Sequence, residues 1–154
     1  MSPGPDAAKP VYPPTYALLA LVLVLCLHFL APVKQIIFAP YRYLGVILFA
    51  AGVTIVLWGK GIFRRAGTTI KPFEESSALV VEGPYRVSRN PIYLGMACGV
   101  LGASVMAGSL TSFLVAPAFV YLIDRRFVRV EEAMLEQRFG PQYAAYKARV
   151  RRWI

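Results

Sequence analysis

Two carboxylates stand side by side at Glu131-Glu132, with Arg125, Arg126 and Arg129 just before them. A carboxylate placed there can accept hydrogen bonds from ribose hydroxyls or hold an ammonium group. The arginines can equally neutralise both acids as ordinary surface ion pairs. A second group of residues lies upstream, in the run Ala78-Leu79-Val80-Val81-Glu82-Gly83-Pro84-Tyr85-Arg86-Val87-Ser88-Arg89-Asn90-Pro91-Ile92-Tyr93-Leu94-Gly95. Residues 79–81 read as a short extended piece and Gly83-Pro84 as a turn. Asn90-Pro91 ends the loop, with Pro91 suited to the first turn of a following helix. Exposed backbone at such turns can pair with an adenine edge, and free N–H groups at a helix start favour an anion such as a carboxylate. A plain loop leading into a membrane helix fits the same residues.

Other chemistries find little support. The one histidine, His28, lies in an apolar run and suits helix packing, and there is no cluster of metal-ligand type. Cys26 and Cys98 also lie in apolar runs, which suggests neither a disulfide framework nor a zinc site.

The elements that must position these residues are membrane spans. Of the 154 residues, 57% are hydrophobic, and the mean hydropathy is +0.54. Residues 15–33 carry no charge apart from the titratable His28, residues 41–59 carry only Arg42, and residues 92–123 carry none over 32 positions. A helix needs roughly 20 apolar residues to cross the hydrocarbon core. The first two runs are single spans, and no small-x-small cleavage site follows the first to mark it as a signal peptide. The third is long for one span and short for two. Gly102, Gly108 and Ser109 in its middle favour a helical hairpin with limbs near 92–107 and 109–124, and a single long tilted helix is the alternative.

This gives an all-α integral membrane protein of about four spans in one domain, residues 15–154, behind an unstructured Pro-rich tail, residues 1–14. With the N-terminus inside, 15 of the 17 basic residues fall on the cytoplasmic side, and Lys34 and Arg42 alone lie outside. The net charge of +9 therefore faces anionic lipid headgroups and is not the mark of a nucleic-acid binder. Residues 60–91 and 125–154 are then both cytoplasmic, in a multi-pass protein of bacterial inner-membrane type. In the second segment, Phe127, Val130, Met134 and Leu135 recur at helical spacing, Gly140-Pro141 breaks the helix, and a further basic aromatic helix runs to about Arg152. Chemistry on a polar cofactor belongs between these two segments.

Taken together, Gly67-Thr68-Thr69-Ile70-Lys71-Pro72, the run 78–95, Glu131-Glu132 and Phe139-Gly140-Pro141-Gln142-Tyr143 resemble the isoprenylcysteine carboxyl methyltransferase family, a relative of the small phospholipid methyltransferases. The resemblance covers residues 63–152. It implies a membrane methyltransferase using S-adenosylmethionine. Ser77, Ala78, Leu79, Val80 and Tyr85 would line the adenosine side, and Asn90, Pro91, Ile92 and Tyr93 would close around the methionine portion. Glu131 would hold the cofactor, with Glu132 in support, and Arg126 or Arg129 would position the acceptor. The family's histidine is Asn90 here, which can orient a ligand but cannot shuttle a proton near neutral pH.

Methyl transfer from a sulfonium is an in-line displacement that mainly requires positioning and exclusion of water. Tyr85 or Tyr93 against the sulfonium would contribute about 0.5–2 kcal/mol. The scarcity of bases points to an acceptor already nucleophilic at neutral pH, a carboxylate or a thiolate, on an amphiphile entering from the bilayer. Two readings compete: an NADPH-dependent membrane reductase related to the sterol reductases, and a non-enzymatic membrane scaffold.

Overall fold

The computed structural model describes residues 12–67 and 78–154. The expected N-terminal tail apart from residues 12–14, the segment from Thr68 to Pro72, and Ser77 all lie outside the described residues.

Helix α1, Pro13–Leu30, opens on two prolines that suit the first helical turn. It ends three residues before the expected limit, because Pro32 disfavours helical backbone at the residue before it. Only Pro13, Ala20 and Val24 are buried along it, while Leu18, Leu19, Leu25 and Phe29 are exposed. Apolar side chains exposed all around a helix suit a lipid environment rather than water. Helix α2, Tyr43–Arg65, is likewise long and apolar enough to cross a membrane. It runs six residues past the expected end at Gly59. Residues 60–65, expected in the polar loop, are its last turns. Ile62 and Phe63 keep an inward face beneath the loop, while Lys60, Arg64 and Arg65 favour the negative end of the helix dipole.

The third apolar run folds as two limbs, not as one long helix. Helix α3, Pro91–Ala107, ends at Gly108, whose φ is +72°. A Cβ there would stand 2.5 Å from Gln35 Nε2 and from the Ile37 carbonyl oxygen, so glycine is required on both counts. The chain returns through the short α4, Leu110–Phe113, and α5, Val115–Ile123.

Glycine spacing fixes how α2 sits on α3. Gly45, Gly52 and Gly59 are its buried residues, seven apart. A Cβ on Gly45 would stand 2.5 Å from the Gly102 carbonyl, and one on Gly52 2.5 Å from the Gly95 carbonyl. The two backbones therefore touch, as small residues allow between helices in lipid. Helix α1 packs on a different face of α3, also touching α4 and α5.

The end of the bundle away from the polar segments is fastened by buried serines. Ser112 Oγ donates to the Val24 carbonyl at 3.1 Å, Ser104 Oγ donates to the Ser112 carbonyl at 2.9 Å, and the Ser109 and Ser112 hydroxyls are 2.7 Å apart. His28 Nδ1 lies 3.4 Å from Ser109 Oγ, so the sole histidine ties α1 to the hairpin.

Beyond α5 a π-helical turn, Asp124–Val128, swings Phe127 and Val128 into the core, where the Phe127 ring meets Tyr16 at 5.4 Å and Tyr93 at 6.3 Å. Helix α6, Arg129–Arg149, breaks at Gly140 (φ 42°, ψ −116°), where Pro141 follows. The second limb stops at Arg149 rather than near Arg152. Val150 is extended, and Ser88 and Arg151 form a parallel bridge. Backbone pairing with the loop replaces the last helical turn.

Candidate functional site

The polar loop, the start of α3 and the start of α6 meet at one end of the bundle. Gly83, with φ +57°, and Pro84 open a 3-10 turn, Gly83–Arg86, which turns Tyr85 inward. The Tyr85 ring packs edge-on against Phe63 of α2 at 5.4 Å, and its carbonyl accepts a 2.7 Å hydrogen bond from the Tyr146 hydroxyl. Burial pushes the Tyr85 phenol far above its ordinary range and that of Tyr146 up to about 12. Both phenols stay neutral donors at physiological pH.

Pro91 supplies the first turn of α3, and no side chain caps the helix start. Asn90 could have done so, yet its Nδ2 donates to the Arg152 carbonyl at 3.2 Å and its backbone N–H to Ser88 Oγ at 3.1 Å. The first amides of α3 are therefore left to other acceptors. Ile92 lies across Gly59 of α2. Tyr93, buried, reaches across to α6 and donates a 2.6 Å hydrogen bond to Glu131 Oε1.

The two adjacent carboxylates have opposite surroundings. Glu131 is half-buried and has no cationic partner among the described residues. Its burial raises its pKa to about 7, against the downward pull of the Tyr93 hydrogen bond. Glu132 is buried too, but Arg152 and Arg89 outweigh that burial and hold it below the usual carboxylate range. Arg89 Nη2 lies 2.9 Å from its Oε1 and Arg152 Nη2 2.7 Å from its Oε2. The two neighbouring acids therefore sit in electrostatically different surroundings, one short of cations among the described residues and one held between two guanidinium groups.

The remaining expected residues spread out. Ala78, Leu79 and Val80 are half-buried in irregular chain before the turn, and Pro91 is buried. Arg129 pairs with Asp124 at 2.7 Å, and Arg126 is exposed on the π-helical turn. Neither arginine joins Glu131 or Glu132 in an ion pair among the described residues. Arg89 and Arg152, which do pair with Glu132, were not expected. Arg152 is 20 residues from Glu132, and no sequence spacing signals such a contact. Tyr143, expected as part of the Phe139–Tyr143 motif but not as a site residue, is almost fully buried, and its hydroxyl has no partner among the described residues. No group of three or more metal-ligating residues occurs among the described residues.

The fold and site define a helical protein with two helices long and apolar enough to cross a membrane and a cluster of polar and charged side chains where three segments converge. A family model described as phospholipid methyltransferase matches residues 41–142. The chain is 32% identical over 147 residues to protein-S-isoprenylcysteine O-methyltransferase B of Arabidopsis thaliana, covering 88% of this chain and 71% of that protein. Protein-S-isoprenylcysteine O-methyltransferase A of the same plant is 34% identical over 74 residues, 48% of this chain and 38% of that protein. The cobalt-zinc-cadmium resistance protein CzcN of Cupriavidus metallidurans is 32% identical over 75 residues, 49% of this chain and 34% of that protein. No solved structure matches the chain. The chain belongs to the phospholipid methyltransferase family, together with the isoprenylcysteine methyltransferases, and is a methyltransferase.

Proposed function

We propose that the protein uses S-adenosylmethionine to methylate a carboxylate, or another nucleophile that needs no activation, on an amphiphilic acceptor within the membrane. The observation that carries this reading is Glu131: a half-buried carboxylate, oriented by Tyr93, with no cationic partner among the described residues, beside a helix start with no side-chain cap. S-adenosylmethionine presents an ammonium and a sulfonium, a carboxylate, ribose hydroxyls and an adenine. The residues present match those groups. Glu131 takes the ammonium or the ribose hydroxyls, and the free amides at the start of α3 take the carboxylate. Asn90, Pro91, Ile92 and Tyr93 enclose the methionine portion, with a ring of Tyr93 or Tyr85 near the sulfonium. Ala78, Leu79, Val80 and, by sequence, Ser77 form the adenosine wall.

When bound, the cofactor supplies a methyl group already activated by the sulfonium. The protein's own work is to fix the nucleophile in line and to keep water out. In this reading the chain has four spans, near 15–30, 43–59, 91–107 and 109–123, with both termini cytoplasmic and this site at the inner membrane face. An apolar cleft of about 160 Å³ lies between α1, α2 and α3, lined by Leu21, Phe49, Val53, Met96 and Gly99 among others. It reaches Gly95 and Met96, two and three residues beyond Tyr93, and suits a hydrocarbon chain whose polar end lies beside Tyr93 and Glu131. The NADPH alternative loses support, because Arg89 and Arg152, well placed to hold a phosphate, are engaged by Glu132.

The test uses purified protein in lipid vesicles with methyl-labelled S-adenosylmethionine and two probe amphiphiles, an S-prenylated cysteine and a long-chain alcohol. Label in a base-labile methyl ester of the carboxylate probe supports the reading. Transfer to the alcohol contradicts it, since in this reading Glu131, whose pKa is raised to about 7, is engaged by the cofactor and is not free to take that proton.

A further inference from the structure

Residues 150–153 cross the loop just ahead of α3 as an extended strap. The Arg89 N–H donates to the Arg151 carbonyl at 2.9 Å, and Arg89 Nη1 donates to the Val150 carbonyl at 2.9 Å. Ser88 Oγ and Asn90 Nδ2 both donate to the Arg152 carbonyl at 3.2 Å. Trp153 then packs on the core cluster that contains Tyr93 and Phe127. Glu132 holds the arrangement from beneath. Its Oε1 accepts from Arg89 Nη2 at 2.9 Å and Arg89 Nε at 3.2 Å, and its Oε2 accepts from Arg152 Nη2 at 2.7 Å. Asp124 adds a 3.4 Å contact to Arg152.

We propose that Glu132 is the positioning residue of the donor site: through Arg89 and Arg152 it holds the 150–153 strap as a wall over the Asn90–Tyr93 corner, and that wall retains the bound cofactor. Three facts support this role over direct contact. Both Glu132 oxygens are already filled by guanidinium donors, so a ligand hydroxyl would have to displace one. Consecutive helical residues point about 100° apart, so Glu131 and Glu132 cannot both face one ligand group. And the strap's polar contacts fall on Ser88, Arg89 and Asn90, which lead directly into the start of α3. Without Glu132, the buried Arg89 and its neighbour Arg152 would be like charges with no shared anion, and the strap would lift.

This inference rests on the cofactor reading above. Its test measures, for the full chain in detergent, the dissociation rate of labelled S-adenosylhomocysteine and amide exchange of residues 150–153. Glu132→Gln is expected to speed dissociation at least tenfold, leave association within threefold, and expose the strap amides. Arg152→Gln, which leaves the Arg89–Glu132 pair in place, should do the same, and Arg152→Lys should fall between it and wild type. Glu131→Gln should weaken binding with the strap still protected. Should Glu132→Gln not fold, Arg152→Gln decides. Weakened binding in Glu132→Gln with a protected strap would make Glu132 a ligand and overturn the proposal. A freed strap with unchanged dissociation would overturn it as well. Failure of the wild-type protein to bind the probe, with its strap protected, would instead refute the cofactor reading.

Discussion

Tyr93 and Glu131 are joined by a 2.6 Å hydrogen bond that links the first turn of α3 to the first turn of α6. One partner begins the helical hairpin and the other begins the polar C-terminal helix, so the bond spans the two halves of the proposed donor site. Its consequences are chemical. Burial pushes the Glu131 carboxyl up to about 7, against the downward pull of the Tyr93 hydroxyl.

Affinity for S-adenosylmethionine should therefore depend on pH. The cationic cofactor prefers an ionised Glu131, so binding should tighten as pH rises through about 7 and level off above it. In Tyr93→Phe the stabilising donor is gone, and the midpoint should move to higher pH. In Glu131→Gln the step should vanish and affinity fall at least tenfold. Calorimetric titrations from pH 5.5 to 8.5 check all three.

Stability of the ligand-free protein should respond to the two acids with opposite signs. Glu131, with its folded pKa raised from 4.5 to about 7, favours the protonated form, so its contribution declines as pH rises between those values. Glu132 is held below 4.5, so its contribution is full above 4.5 and is lost as pH falls below it. Thermal melts in detergent should show Glu131→Gln gaining on wild type from pH 5 to about 7 and holding that gain above it. Glu132→Gln should melt below wild type by a constant margin across pH 5 to 8.

The glycines of α2 and α3 should not tolerate substitution equally. A methyl at Gly52 would stand 2.5 Å from the Gly95 carbonyl, a clash only helix separation can relieve, whereas a methyl at Gly99 would meet nothing nearer than the Phe49 ring at 3.9 Å. Gly52→Ala should cost about 1–3 kcal/mol, and Gly99→Ala should melt at or above the wild-type temperature, since alanine is the better helix former. Paired melting curves check the contrast.

Two tyrosines on the second limb of α6 offer another contrast. The Tyr146 hydroxyl bonds the Tyr85 carbonyl, so Tyr146→Phe leaves a buried acceptor unpaired and should cost about 1–3 kcal/mol. The Tyr143 hydroxyl has no partner among the described residues, so Tyr143→Phe should leave the melting temperature unchanged or raise it. Equal losses in both would contradict these assignments.

The helical elements were legible because uncharged runs and Gly-Pro punctuation act locally. Gly108 closed the hairpin and Gly140-Pro141 bent α6 where the residue types require it. The extra turns of α2 were not legible, because Lys60, Arg64 and Arg65 look like loop until Ile62 and Phe63 find partners in the loop's own turn. At the site, the residue types around Asn90, Tyr93 and the acidic pair pointed to one end of the bundle. Which acid pairs with which cation was beyond the sequence. Arg125, Arg126 and Arg129 are nearest in the chain, yet Arg89 and Arg152 reach Glu132 because the loop and the strap fold over it. Contacts made across long sequence separations leave no periodic trace.

The most direct test of the account is a calorimetric titration of the detergent-purified full chain with S-adenosylmethionine, with NADPH as control. The expected result is micromolar binding of S-adenosylmethionine that Glu131→Gln weakens at least tenfold, and no binding of NADPH. A folded sample that binds NADPH and not S-adenosylmethionine, or whose S-adenosylmethionine affinity is indifferent to Glu131→Gln, would contradict it.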